Sequence, residues 1–256
     1  MQTPNAYPQL RVLVALAILA GIGVGCGGAP DAPTVASPDP PGVPTRPVRS
    51  LGPGPHEGID VSHHSGTVDW SQVAHAGFSF VFLKASEGVD DPDPMFGEHW
   101  QRAGEAGLLR GAYHFFVTED DPDEQAKLFL STIDLKPGDL APVVDIELLG
   151  HGTEGDVQVR LQRFLDLVEQ EVGIPPILYT SPKFWDTHFH QSFSRYPLWI
   201  AEYDVDEPTI PEGWHGWSLW QYQGDAEIPG IEKRADKSKT HPELDLDALR
   251  ISTRLR

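Results

Sequence analysis

Sulfur and positive charge are scarce in this chain. Its 256 residues include one cysteine, so no intramolecular disulfide and no thiolate metal cluster can form. Only 19 Lys and Arg face 38 Asp and Glu, a formal net charge of −19. That balance excludes nucleic acid and anionic lipid surfaces as general partners. No glycine-rich dinucleotide fingerprint or phosphate loop follows the first strand-like segment. His63, His64 and His114 lack the compact spacing to Asp or Glu that a metal site needs, so no metal and no cofactor is expected.

Long apolar runs are equally rare. One covers Val12 to Gly25 behind Arg11, too short to span a bilayer comfortably and suited to the apolar stretch of a secretory signal. Gly23-Val24-Gly25 before Cys26 resembles a bacterial lipoprotein signal, although Gly23 stands where a larger apolar residue is usual. Residues 1–26 are therefore expected to be a signal with lipidation at Cys26; an ordinary secretory signal is the alternative. Either places the mature protein outside the cytoplasm, in the cell envelope or secreted. Residues 27–55 are dense in Pro, Gly, Ala, Thr and Ser, a tether without enough apolar surface to fold. Residues 56–256 then form one domain of ordinary size.

Within that domain short apolar runs alternate with amphipathic segments. Strands are expected at 58–61, 78–84, 111–116, 142–147, 176–180, 198–202, 218–222 and 244–246. Helical patterns cover 70–76, 95–106, 123–133 and 156–171, with Asp123 and Asp156 as N-caps and Gly107 and Gly173 at helix ends. Such alternation favours an α/β fold with a parallel sheet, either a barrel or a doubly wound sheet. The lack of a nucleotide fingerprint favours the barrel. The C-terminal side has fewer helices, so helix cover there should be incomplete. The polar, basic stretch from Glu232 to Pro242 suggests an exposed loop.

Polar residues collect at the C-terminal ends of these strands: Asp60, Lys84 with Glu87, His114, Asp145 with Glu147, Thr180, Glu202 with Tyr203, Gln221 with Tyr222, and Asp245. In a parallel barrel those ends converge on one mouth, where active sites form. Asp145 and Glu147 end the apolar run from Ala141, and their i, i+2 spacing points both to one face. Neighbouring acids push one pKa upward, so one can hold a proton near neutral pH while the other is ionised. Acid catalysis at a glycosidic bond needs that division; simple solvation of a strand end is the bland alternative.

The ordered motifs GIDVSHHSG (58–66), FVFLKASEG (80–88), GAYHFF (111–116), PVVDIE (142–147), ILYTSPKFW (177–185), LWIAEY (198–203) and LWQYQG (219–224) resemble the glycoside hydrolase family 25 lysozymes, the Chalaropsis type of muramidase. The resemblance spans essentially the whole chain from Glu57. It implies an irregular, TIM-like β/α barrel that hydrolyses the β-1,4 bond between N-acetylmuramic acid and N-acetylglucosamine in peptidoglycan. Glu147 aligns with the general acid, and Asp145 with the carboxylate that directs the substrate's own N-acetyl group to the anomeric carbon. Asp60 and Asp245 match the acids of the first and last strands. Lys84, Tyr113, Tyr179, Tyr203 and Gln221 fall in motifs that line the groove.

Alternatives stand beside these assignments. Asp60 could be an N-cap or turn residue before Ser62, Lys84 could pair with Glu87 or one of the acids and only hold charge in place, and His114 suits a structural histidine. The loop from Ile231 to Glu243 is longer and more basic than the family's usual connection, which bears on Asp245. Peptidoglycan glycan strands are the expected partner, the membrane is reached through the lipid anchor, and a monomer is expected. The competing functions are a chitinase or N-acetylglucosaminidase on a related barrel, and a non-catalytic peptidoglycan-binding barrel.

Overall fold

The first half of the domain alternates strand and helix, as the hydrophobic pattern requires. The computed structural model describes residues 50–150, 154–190 and 193–252. In chain order, β1 (Glu57–Val61) leads to α1 (Trp70–His75), and β2 (Phe80–Glu87) to the short β3 (Asp91–Pro92) and α2 (Phe96–Glu105). Next come β4 (Leu109–Phe115), α3 (Pro122–Thr132), β5 (Val143–Asp145), α4 (Glu154–Val172), β6 (Ile177–Thr180) and α5 (Pro182–His188). Then β7 (Leu198–Ala201), β8 (Leu219–Ala226) and β9 (Ala235–Thr240) follow, and a 3-10 turn (Leu246–Leu249) ends the described chain. Among the described residues no α-helix lies between the last three strands, so helix cover is incomplete on the C-terminal side.

Strands β1, β2 and β4 to β8 run parallel in an eight-stranded closed barrel, and β9 closes it antiparallel to both β8 and β1. Alternate strand residues face inward. Phe80, Phe82, Val143, Ile177, Trp199 and Leu219 fill the interior, while Val81, Leu83, Val144, Leu178, Leu198 and Ile200 pack beneath the outer layer. Two glycines make room for this filling. A Cβ on Gly58 would sit 2.2 Å from the Phe80 ring, and one on Gly111 2.3 Å from the Phe82 ring.

The N-terminal end of the barrel is a closed floor. Leu246 and Leu249 pack there with Leu140 and Ala141. Pro53 bridges Asp245, and Leu140 bridges Arg250. Residues 50–55, expected to belong to the tether, pack along this floor: Leu51 touches the apolar cluster, and Thr240 Oγ1 donates to Gly54 O at 2.7 Å.

Three local expectations need correction. The last strand is not at 244–246, where a 3-10 turn forms, but at Ala235–Thr240, inside the stretch expected to be a loop. Its inward residues are Asp236, Ser238 and Thr240, small and polar, so no apolar period marks it. Helix α3 is capped by Asp121, which accepts from Asp123 N at 2.9 Å, with Pro122 in the first turn. Asp123 instead lies in the first turn, and so does Asp156 in α4, which starts at Glu154. Gly107 and Gly173 do follow the ends of α2 and α4, at φ +87° and +82°. Among the described residues no helix is long and apolar enough to cross a membrane. The apolar run, Cys26 and the tether up to residue 49 lie outside the described residues.

Candidate active site

The mouth, at the C-terminal ends of the parallel strands, draws one or two side chains from most of them. Asp60 on β1 stands directly opposite Asp236 on β9. Lys84 on β2 is paired in register with Tyr113 on β4, and Asp145 on β5 with Tyr179 on β6. Gln221 comes from β8, Tyr203 from just after β7, and Glu147 from just after β5. Gln221 Nε2 donates to Asp60 Oδ2 at 2.9 Å, and Tyr179 Oη donates to Gln221 Oε1 at 2.9 Å. The Tyr203 hydroxyl donates to the same Oε1.

Four carboxyls share this space, and each is pushed above the ordinary carboxylate range. Burial is the largest cause in every case. For Asp145 the charges of Glu147 and Asp60 add to burial, and Lys84 opposes them. For Glu147 the added charge is Asp236, again opposed by Lys84. The Glu147 side chain is open to solvent along the groove, yet its carboxyl is closely walled by protein. Like charges so crowded cannot all ionise, so the walls decide the state of the carboxyl. Asp236 accepts from Asp225 N at 2.7 Å, which partly offsets its burial. Asp145 is buried, and its Oδ1 has no hydrogen-bond partner within the protein.

Lys84 is the half-buried cation among these acids. Its Nζ lies 2.5 Å from Glu87 Oε2 and 5.5 Å from the centroid of the Phe115 ring. It therefore holds charge in place as half of an ion pair, the bland reading its sequence context allowed. Burial and the nearby carboxylates also raise Tyr113 and Tyr179 well above the ordinary phenol range, so both remain neutral hydroxyls.

The structure thus brings together Asp60, Lys84, Tyr113, Asp145, Glu147, Tyr179, Tyr203 and Gln221. It does not bring Asp245 to them. Asp245 is exposed at the floor, where its carboxylate caps the last 3-10 turn by accepting from Asp247 N at 3.0 Å. Asp236 faces Asp60 instead. Sequence reasoning missed it because its strand has no apolar period; the Asp236, Ser238, Thr240 alternation was the available signal.

Other polar strand ends point away from the interior. Tyr222 donates to Glu57 Oε2 at 2.6 Å, and Glu202 accepts from Thr209 N at 2.6 Å. His114 is buried outside the barrel, bonded to Ser86 Oγ at 2.9 Å and Gln125 Oε1 at 3.1 Å. Burial lowers its pKa to about 4, so it is a satisfied neutral histidine. Among the described residues no cluster of three or more His, Cys, Asp or Glu is arranged to hold a metal ion.

A closed barrel of seven parallel strands and one antiparallel strand, with crowded carboxyls raised by burial at its mouth, is an arrangement suited to carboxyl acid–base chemistry. Residues 59–231 match Glycosyl hydrolases family 25, and the chain belongs to that family. It is 36% identical over 184 residues to the YegX protein of Escherichia coli (strain K12), spanning 70% of this chain and 67% of that protein. It is 32% identical over 226 residues to lysozyme M1 of Streptomyces globisporus, spanning 77% and 76% of the two chains. The crystal structure of a bacterial lysozyme from Streptomyces coelicolor superposes with a TM-score of 0.72 at 30% identity, covering 76% of this chain and 96% of that one.

Proposed function

We propose that this glycoside hydrolase is a peptidoglycan muramidase. It cleaves the β-1,4 bond between N-acetylmuramic acid and N-acetylglucosamine, with Glu147 as proton donor and Asp145 as the group that directs the substrate's N-acetyl arm. The observation that carries this reading is the Asp145–Glu147 pair itself. One carboxyl is open to the groove and raised; the other is buried, with an unpartnered oxygen.

The chemistry follows from those two environments. Glu147, holding its proton, transfers it to the glycosidic oxygen as the bond to the anomeric carbon breaks. Asp145 accepts the N–H of the substrate's acetamido group, which gives Oδ1 its partner and aims the acetamido oxygen at the anomeric carbon. Water, deprotonated by the Glu147 carboxylate, then opens the cyclic intermediate with net retention. Asp60 and Asp236 flank the reacting sugar and hold water or hydroxyls. Tyr113, Tyr179 and Tyr203 supply neutral hydroxyls and ring faces to the groove.

Peptidoglycan glycan strands are the substrate, outside the cytoplasm. Residues 1–26 direct export with lipidation at Cys26, residues 27–49 form the tether, and the enzyme acts as a monomer.

Digestion of purified peptidoglycan, with mass spectrometry of the new reducing ends, tests the bond assignment. New muramic acid ends with retained configuration are expected. Glucosamine reducing ends would mean the glucosaminidase reading, and binding without any new ends the non-catalytic one. Cys26→Ser should move the protein out of the membrane fraction; continued membrane association would contradict lipidation.

A further inference from the structure

Gln221 falls in a groove-lining motif, but its amide oxygen has no hydrogen-bonding capacity to spare. Its Oε1 receives the hydroxyls of Tyr179 and Tyr203, and its Nε2 donates to Asp60 Oδ2. A carboxamide oxygen has two lone pairs, so the two tyrosines saturate it and fix which end of the amide faces Asp60. The flipped amide would set its oxygen against the carboxylate, which is acceptable only if Asp60 carries a proton. Gln221 is itself 2% exposed, so water does not readily replace either contact.

We propose that Gln221 is a positioning residue: with its amide orientation locked by Tyr179 and Tyr203, it keeps Asp60 Oδ2 an acceptor, so that the proton of the acid cluster resides on Glu147. The inference rests on the muramidase reading, in which Glu147 is the acid.

Asp60 needs such a device. Asp236 faces it from β9, Glu147 and Asp145 from the end of β5, and the neutral hydroxyls of Tyr113, Tyr179 and Tyr203 complete its surroundings. Burial and the Asp236 and Glu147 charges drive Asp60 toward protonation, and the Gln221 donor opposes them. Without that donor, two carboxyls compete for one proton, and the enzyme in which Asp60 holds it is the wrong protonation isomer for Glu147 to act.

The test is the pH dependence of kcat/KM on purified peptidoglycan for wild type, Gln221→Met, Tyr179→Phe, Tyr203→Phe and the double Phe variant. Loss of one charge-assisted hydrogen bond should move the acidic limb of Gln221→Met upward by roughly one pH unit, about a tenfold loss below the limb. Plateau kcat/KM falls wherever a groove contact is lost, but the limb moves only if Asp60 loses its donor, so the position of the limb carries the test. The double Phe variant should move the same limb in the same direction, further than either single variant.

A uniform loss at all pH values with the limb in place would overturn the proposal. If Gln221→Met does not fold, the double Phe variant decides: an unmoved limb refutes the locking role. Failure of the underlying reading looks different, because Glu147→Gln would then remain active or wild type would release no muramic acid ends.

Discussion

Asp236 and Asp245 come from one short segment and end up at opposite ends of the barrel. At the mouth, Asp236 is half-buried against Asp60 and Glu147, and its carboxyl is pushed up by burial. At the floor, Asp245 is exposed and its carboxylate is satisfied by a backbone N–H. The same side chain is a reactive group in one place and a cap in the other. What differs is the neighbourhood: like charges and low solvent access above, a turn N-terminus below. The mouth concentrates unfavourable electrostatics, and the floor supplies apolar packing from Phe80, Phe82, Leu246 and Leu249.

Substitutions at the two ends should separate these roles. Beside the proton donor itself, the largest effect is expected from Asp145→Asn, which leaves the mouth's shape but weakens the acceptor for the acetamido N–H; kcat should fall by about 10²–10³-fold. Asp236→Asn should act less strongly and with two signatures. Removing its charge lowers the raised pKa of Glu147, so the basic limb of the pH profile moves down. Activity above that limb should drop about tenfold for every pH unit by which the limb moves. The substitution should also stabilise the fold at neutral pH. An acid raised in the folded state binds protons more tightly there than when unfolded, so wild-type stability falls as pH rises from the unfolded toward the folded pKa. Asp236→Asn should flatten that fall in thermal melts taken from acid to neutral pH; an unchanged slope would remove Asp236 from the coupled cluster.

Floor-side changes should do the reverse. Gly111→Ala forces a methyl into the Phe82 ring, and overpacking of this kind costs about 1–3 kcal/mol in denaturant unfolding. The kcat of the folded fraction should stay close to wild type. Asp245→Ala is the mildest, costing about 0.5–1 kcal/mol through the lost cap and leaving turnover unchanged. A loss of activity there comparable to that of Asp236→Asn would erase the distinction between mouth and floor.

Legibility in the sequence divides along a related line. Strand β5 could be read directly, because Ala141 to Val144 form an apolar run whose end is marked by Asp145 and Glu147. Strand β9 could not: its inward Ser238 and Thr240 meet Trp199 and the backbone just before β1 through hydroxyls rather than apolar contacts. Ser238 accepts from Trp199 Nε1 at 3.1 Å, and Thr240 accepts from His56 N at 2.9 Å. Its outward Lys239 lies 4.3 Å from the Trp220 ring centroid, covering an aromatic surface with the chain that made the segment look like a loop. Asp245 then took the place that Asp236 fills, because the apolar Leu244 and Leu246 around it mimic a strand end. Asp60, Tyr179 and Gln221 were legible as members of the site. That Gln221 serves Asp60 depends on a contact between strands far apart in sequence, which no local pattern encodes.

Comparison of wild type and Glu147→Gln on two substrates tests the central claim most directly. Gln at 147 cannot protonate a leaving oxygen, so release of muramic acid ends from peptidoglycan should fall by about 10³-fold or more. An aryl glycoside of N-acetylmuramic acid with a strongly acidic phenol needs no proton to depart, so its kcat/KM in the variant should stay near wild type, while steady turnover slows because Glu147 also activates the water of the second step. Equal losses of kcat/KM on both substrates, or continued peptidoglycan cleavage by Glu147→Gln, would contradict Glu147 as the acid of this mouth.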